Sequence, residues 1–148
     1  MQTFTAGREV DFAEIPLFIE SSDAVAAKVV DEVARRLSRR VFASDSAQRA
    51  TLHTAAVFAC NFANAMYAAG RDTAAMAGMD FDILKPLIAE TARKAVAAAD
   101  PRTVQTGPAV RGDTTTEERH KALLAAAGEA ELESIYEKIS RYIYGKKL

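Results

Sequence analysis

Several ingredients of common enzyme sites are scarce in this 148-residue chain, which has one cysteine, two histidines and no tryptophan. The single Cys60 excludes an internal disulfide and a multi-cysteine metal site. The histidine spacing fits no zinc template, and no carboxylates cluster for another metal, so we expect no metal ion. The seven glycines form no phosphate-binding loop.

Charge of one sign and long apolar runs are also missing. The chain has 19 basic and 20 acidic residues, a net charge of -1, and no basic face, which argues against nucleic acid. The longest apolar runs, such as TAAVFAC, fall far short of the roughly 18 residues of a membrane span. Charged Arg8, Glu9 and Asp11 occupy the place of a signal peptide's apolar core. We expect a cytoplasmic protein with no membrane partner.

The first segment has the pattern of a strand, a helix and a strand. Short buried strands are predicted over Ile15–Ser21 and Arg39–Ser44, and Ser22 or Asp23 caps the helix between them. This order defines a βαβ unit with parallel strands. Two parallel strands do not form a stable sheet alone, and the rest of the chain offers no further strand. The strands are therefore expected to pair with another chain or to belong to a longer protein.

The rest of the chain has helical patterns. The fold class is therefore predicted to be mainly α, a helical bundle preceded by a βαβ segment. A capping residue, Asp45 or Ser46, begins a long helix that Gly78 stops after about Ala77. A second helix is predicted over Phe81 to about Ala99, with a bend at Pro86. A third begins at a capping box, at Thr114 or Thr115, and runs to about Ala127. A last helix is predicted over about Glu131 to Tyr144. Alanines crowd the long helix, and this composition suits either dense internal packing or a homodimer interface.

Polar side chains on the long helix form the first candidate site. At 100° per residue, His53, Cys60 and Asn64 lie within about 20° of one another, and Asn61 lies about 80° away from His53. These groups either bond neighbouring helices as structural residues or face a cleft, where His53 is a general acid or base. Cys60 is interpreted as an inert core residue.

The second candidate site is the polar loop QTGPAVRGDTTTEERH. Arg111 carries a planar fork that suits a carboxylate or phosphate. Asp113 precedes the threonine caps and ties the loop either to Arg111 or to a helix start, and His120 lies in the first turn or so of the following helix. An internal Arg–Asp clamp and a ligand-binding loop both fit this pattern.

Three segments carry a resemblance to a known family: DSAQRATLHTAAVFACNFANAMYA, FDILKPLIAETARK and QTGPAVRGDTTTEERHKALL. They resemble the C-terminal helical domain of a bacterial family that joins a Rossmann-like domain to the domain of unknown function 2520. The N-terminal MQTFTAGREVDFAEIPLFIESSD resembles the end of that family's nucleotide-binding domain. The family is itself distantly similar to NADP-dependent oxidoreductases with a C-terminal domain of the 6-phosphogluconate dehydrogenase type.

The resemblance implies an organisation and a function. Residues 1–44 would be the βαβ end of a Rossmann-like domain, and residues 45–148 the all-helical C-terminal domain. The chain would be the dimerisation and substrate-side domain of an NAD(P)-dependent oxidoreductase, inactive alone because it lacks the dinucleotide-binding motif. NADP or NAD is expected only for the full-length protein, and a homodimer is expected. A non-catalytic binding or assembly domain is the alternative.

The resemblance also suggests roles for the candidate residues. His53 and Asn61 would be catalytic residues that face the nicotinamide. A small anionic substrate would be bound by a second set: Asn64, Arg111, Asp113 and His120. The chain departs from the hydroxyacid and 6-phosphogluconate enzymes, which carry a catalytic lysine four residues before an asparagine on this helix. Here Val57 stands four residues before Asn61, so the chemistry would fall to His53.

Overall fold

The computed structural model describes residues 6–7 and 9–146. The predicted Met-Gln-Thr-Phe resemblance and Arg8 lie outside these residues. The chain divides into two compact units, Met1–Ala63 and Asn64–Leu148.

The first unit contains the predicted βαβ segment. Strand β1 (Leu17–Ile19) pairs in parallel with β2 (Val41–Ala43), and Leu17 is aligned with Val41. Helix α1 (Ala24–Leu37) connects them. Its N-cap is Asp23, whose carboxylate accepts hydrogen bonds of 2.9 Å from the backbone amides of Val25 and Ala26. Both strands are shorter than predicted, since three residue pairs form the whole ladder.

The buried hydroxyl of Ser38 connects the start of the strands to the end of α1. It donates a hydrogen bond of 2.6 Å to the carbonyl of Ile15 and accepts one of 3.0 Å from the amide of Arg40. Ser38 is 3% exposed. A polar group buried in this way contributes to stability because its partners would otherwise lack hydrogen bonds.

The long helix predicted from Asp45 onward is confirmed, with one internal change. Asp45 begins α2 (Ser46–Ala56) with a capping box, in which its carboxylate accepts the amide of Gln48 and the Gln48 side chain accepts the amide of Asp45. A π-helical segment, Val57–Phe62, follows, and then α3, Ala63–Met76. Gly78, with φ of 68°, stands in the left-handed region after this helix, as predicted.

The second unit is entirely helical in its described part. A 3₁₀ turn at Phe81–Leu84 leads into α4 (Lys85–Ala97), and another at Pro101–Val104 precedes the short α5 (Pro108–Arg111). The hairpin of α6 (Thr114–Ala126) and α7 (Ala130–Lys146) completes the unit. The predicted bend at Pro86 is wrong, because this proline lies in the first turn of α4, where no amide donor is needed.

Apolar side chains of α1 are exposed. Val25, Val29, Val33 and Leu37 recur every four residues and are 75%, 58%, 53% and 50% exposed. Within the described residues, the buried hydrophobic side chains are few: Ile15, Ala34, Ala109 and Leu124. Large apolar surfaces of this kind mark interaction sites.

Candidate functional site

His53 lies in the last turn of α2, and its side chain is exposed. In the part of the chain that the structure describes, no hydrogen bond or ion pair engages its imidazole. The interpretation of His53 as a buried structural group is therefore wrong. Its ring is available to solvent and to a ligand.

The π-helical segment changes which residues share the face of His53. Hydrogen bonds from residue i to i+5 place more residues in each turn than the 3.6 of an α-helix, so each residue turns by less than 100°. Asn61 therefore rotates toward the face of His53, and Cys60 rotates away from it. The predicted grouping of His53 with Cys60 is wrong for this reason. Single π turns inside α-helices occur frequently at functional sites.

Cys60 lies within the π-helical segment and is exposed as a free thiol. Its interpretation as a core residue is wrong. The apolar residues beside it, Phe58 and Phe62, are exposed as well, and their rings meet edge to face with centroids 5.1 Å apart. This face of the helix is not packed within the described part of the first unit.

An ion pair that the sequence analysis did not identify lies at the carboxyl end of β1. Arg49 of α2 pairs with the carboxylate of Glu20 and donates a hydrogen bond of 3.0 Å to the carbonyl of Ser44. The pKa of Glu20 is lowered, mainly by the hydrogen bond from Arg49 and to a smaller extent by one from Ser46. Arg49 precedes His53 by four residues, so the two share one face of α2. The spacing of four residues between Arg49 and His53 was the only feature of the sequence that indicated this shared face of α2.

Asn64 and Arg111 belong to the second unit, and both are exposed. Asn64 is the second residue of α3. Arg111 ends α5, and Gly112 follows it in the left-handed conformation with φ of 67°. Arg111 forms no ion pair with Asp113, so the predicted internal clamp is not formed.

Asp113 is the N-cap of α6. Its carboxylate accepts a hydrogen bond of 2.7 Å from the Thr116 hydroxyl and one of 3.1 Å from the Thr116 amide. Both bonds lower the pKa of Asp113, and the bond from the Thr116 hydroxyl has the larger effect. The positive charges of Arg111 and Arg119 also lower this pKa. The predicted capping boxes at Thr114 and Thr115 are wrong, because the aspartate one residue earlier takes the capping position.

The lowered pKa of Asp113 predicts a loss of stability in acid. A carboxylate whose pKa is lower in the folded than in the unfolded chain stabilises the folded state at pH values above its unfolded pKa, which is about 3.9 for aspartate. This contribution is lost as the pH falls through the pKa of the folded state. Asp113→Asn keeps a capping oxygen but carries no charge. We expect the variant to be less stable than the native chain at about pH 6 and to differ less from it at about pH 3.

Urea midpoints measured across this pH range test that prediction. Asp72→Asn is the matched control, because Asp72 is an exposed carboxylate that caps no helix. The control should follow the native profile. An Asp113→Asn chain whose midpoint differs from the native one equally at both pH values would contradict the prediction.

His120 contacts a tyrosine that the sequence analysis did not identify. Its Nδ1 lies 2.8 Å from the hydroxyl of Tyr136, and the two rings meet edge to face with centroids 5.6 Å apart. Burial raises the pKa of Tyr136, while a hydrogen bond with Ser140 acts in the opposite direction. The only sequence signal was the position of Tyr136 within the helix predicted over Glu131 to Tyr144.

Two further observations bear on the kind of site. Among the described residues, no three His, Cys, Asp or Glu side chains come together in a way that could hold a metal ion. Within that same part of the chain, no helix combines the length and the apolar character that a membrane crossing requires.

Comparison with protein families identifies the class of this chain. The family model described as "Domain of unknown function (DUF2520)" matches residues 15–143. The chain therefore belongs to this family. A search of curated proteins found no match.

Comparison with solved structures adds a particular relative. The chain is similar to the crystal structure of a candidate NADP oxidoreductase from Bacteroides fragilis, with 45% sequence identity and a TM-score of 0.87. The match covers 99% of this chain and 55% of that one, so the chain spans about half of its relative's length. The fold is thus mainly α, with a short Rossmann-like βαβ segment at its start.

Proposed function

We propose that this chain is the dimerisation and substrate-side domain of an NAD(P)-dependent oxidoreductase whose dinucleotide-binding motif lies in a part of the protein that this chain does not contain. The observation that carries the proposal is the match to 55% of a candidate NADP oxidoreductase at 45% identity. The parallel pair β1 and β2 supports it, because such a pair requires further strands for stability.

His53 is proposed as the acid–base group and Asn61 as a catalytic hydrogen-bonding residue beside it. The exposed, unengaged imidazole and the π-helical segment support this assignment. The face they share on the helix also holds Arg49, which Glu20 fixes in place. Arg49 is thus a further polar group on the proposed catalytic face.

Asn64, Arg111, Asp113 and His120 are proposed to bind a small anionic substrate. Arg111 best suits this role, because its guanidinium is exposed and forms no ion pair with another described residue. The carboxylate of Asp113 is engaged with Thr116, so it would act by holding the start of α6 beside Arg111. His120 would act together with Tyr136. A cytoplasmic location belongs to the same proposal.

A homodimer through the long helix is part of the proposal. The exposed pair Phe58 and Phe62 supports it, because a water-exposed aromatic pair favours burial against a partner. The same observation favours the second candidate function, a non-catalytic assembly domain. The two functions differ in whether the complete protein binds a nicotinamide cofactor.

A chimera tests the proposed oxidoreductase function. The part of the Bacteroides fragilis protein that this chain does not cover would be joined to residues 1–148. We expect NADPH fluorescence to report no binding by the chain alone and micromolar binding by the chimera, since only the chimera contains the dinucleotide-binding motif.

The Bacteroides fragilis protein itself is the positive control for this experiment. Circular dichroism and size-exclusion chromatography would establish that the chimera is folded. A folded chimera without NADPH affinity, beside a relative that binds NADPH, would leave the assembly function as the better account. Tight binding of NADPH by the chain alone would contradict the proposed division of labour.

A further inference from the structure

The second unit contains a cavity of about 340 Å³. Its walls come from α3, from the segment that leads into α5, and from α6 and α7. The apolar side chains on these walls include Met66, Leu124, Leu132, Ile135, Ile139 and Ile143. A pocket of this size, apolar with a few polar groups, has the character of a small-molecule site.

No charged side chain lines this cavity. An ion that entered it would lose its hydration without gaining an opposite charge, which costs several kcal/mol. The cavity therefore favours a neutral occupant. This preference separates it from the exposed Arg111, which suits an anion.

Two hydroxyl-bearing residues, Tyr136 and Ser140, supply the polar part of the α7 wall. Ser140 is 8% exposed. The Tyr136 hydroxyl lies 2.8 Å from Nδ1 of His120. Thr73 and Thr106 are the other hydroxyl-bearing residues on the walls, so the polar groups are few and an occupant binds in the orientation that brings its polar end to one of them.

The tautomer of His120 decides which hydrogen bond Tyr136 can offer. When Nδ1 carries the proton, the phenol is free to donate, and when Nδ1 accepts, the phenol oxygen keeps a lone pair for a donor. A ligand hydroxyl satisfies either case, and a ligand carbonyl satisfies the first. The polar end of the occupant is therefore a neutral alcohol or carbonyl group.

We propose that this cavity binds a small neutral molecule with an apolar body and one hydroxyl or carbonyl group held by Tyr136. The volume accommodates on the order of ten non-hydrogen atoms. This site lies within the second unit and shares Tyr136 with the proposed substrate-binding set, but its occupancy does not require a bound nicotinamide cofactor. NADPH binding by the chimera and occupancy of this cavity can therefore fail separately.

Four probes of similar size distinguish the requirements of the site: 1-phenylethanol, acetophenone, ethylbenzene and benzoate. Titration of the ¹⁵N-labelled 148-residue chain, followed by amide chemical shifts, would give their dissociation constants. We expect 1-phenylethanol to bind best and ethylbenzene to bind about fivefold more weakly, since one hydrogen bond is absent. Benzoate should not saturate the shifts of the cavity residues.

Two variants test the placement of the ligand. Tyr136→Phe should weaken 1-phenylethanol about fivefold and leave ethylbenzene unchanged. Tyr142→Phe is the matched control, because Tyr142 lies on the same helix and is 68% exposed. Ala69→Leu places a larger side chain on the α3 wall, and all three neutral probes should then bind at least about tenfold more weakly.

Three outcomes would overturn the proposal. The first is no saturable binding of 1-phenylethanol to the native chain. The second is equal affinity of all probes for Tyr136→Phe and native chains. The third is an affinity that falls as the protein concentration rises, which would show that a second copy fills the cavity instead of a small molecule.

Discussion

A chain carrying both Phe58→Glu and Phe62→Glu is expected to be monomeric at micromolar concentrations, at which we expect the native chain to be a dimer. The two rings are 66% and 50% exposed and lie against each other on the π-helical segment. In a twofold dimer both copies contribute the same patch, so each substitution acts twice. The exposed part of each ring contributes about 1 kcal/mol when it is buried, so loss of the four rings of a dimer removes about 4 kcal/mol and weakens dimerisation about a thousandfold. The four carboxylates that face one another weaken it further.

Light scattering coupled to size-exclusion chromatography measures this effect, since a dimer has twice the chain mass of 16.0 kDa. Val96→Glu is the matched control, because Val96 is 88% exposed on α4, outside the long helix. The control should remain a dimer. A native chain that elutes with the mass of one copy, or a doubly substituted chain that stays dimeric, would exclude this interface.

Leu124→Ala is expected to destabilise the chain by about 2–3 kcal/mol, toward the lower end of such substitutions. Leu124 is 6% exposed and contributes to the α6 wall of the cavity. One side of Leu124 already faces this empty space, so its truncation loses fewer contacts than that of a leucine packed on all sides. Leu123, the preceding residue, is 53% exposed.

Urea unfolding of the two alanine variants measures this difference. Leu123→Ala should change the free energy of unfolding by no more than about 0.5 kcal/mol, because its side chain contributes little burial. Equal losses in the two variants would mean that Leu124 is not a packing residue of the second unit.

Features that depend on neighbouring residues were predictable from the sequence. The start of α1 at Asp23 and the start of α2 at Asp45 follow from side chains that accept amides two or three residues later. The left-handed Gly78 after α3 is equally local. The βαβ order required only short apolar runs separated by a helical stripe.

The π-helical segment could not be predicted, because its wider turn has no distinct pattern of apolar residues. A uniform turn of 100° per residue places Cys60 with His53, whereas the wider π turn rotates Asn61 toward that face. The start of α6 was misplaced for a different reason. Asp113 and the two threonines after it are all good N-caps, and sequence spacing alone could not choose among them.

Contacts between residues far apart in the sequence are the part of the candidate site that could not be predicted from the sequence. His120 was a candidate, but its partner Tyr136 lies sixteen residues away across a helical hairpin. The Arg49–Glu20 pair spans 29 residues and depends on the placement of α2 beside the end of β1. Residue types indicated where polar chemistry could occur, whereas these pairings required three-dimensional positions.

The exposed valines of α1 have a consequence for the fate of the chain in a cell. A row of apolar side chains in water is the feature that chaperones and proteases use to recognise incomplete proteins. Copies whose Val25–Leu37 row stays uncovered should be removed faster than copies that have found the surface it packs against. The abundance of this protein would then be set by the supply of that surface as well as by its own synthesis.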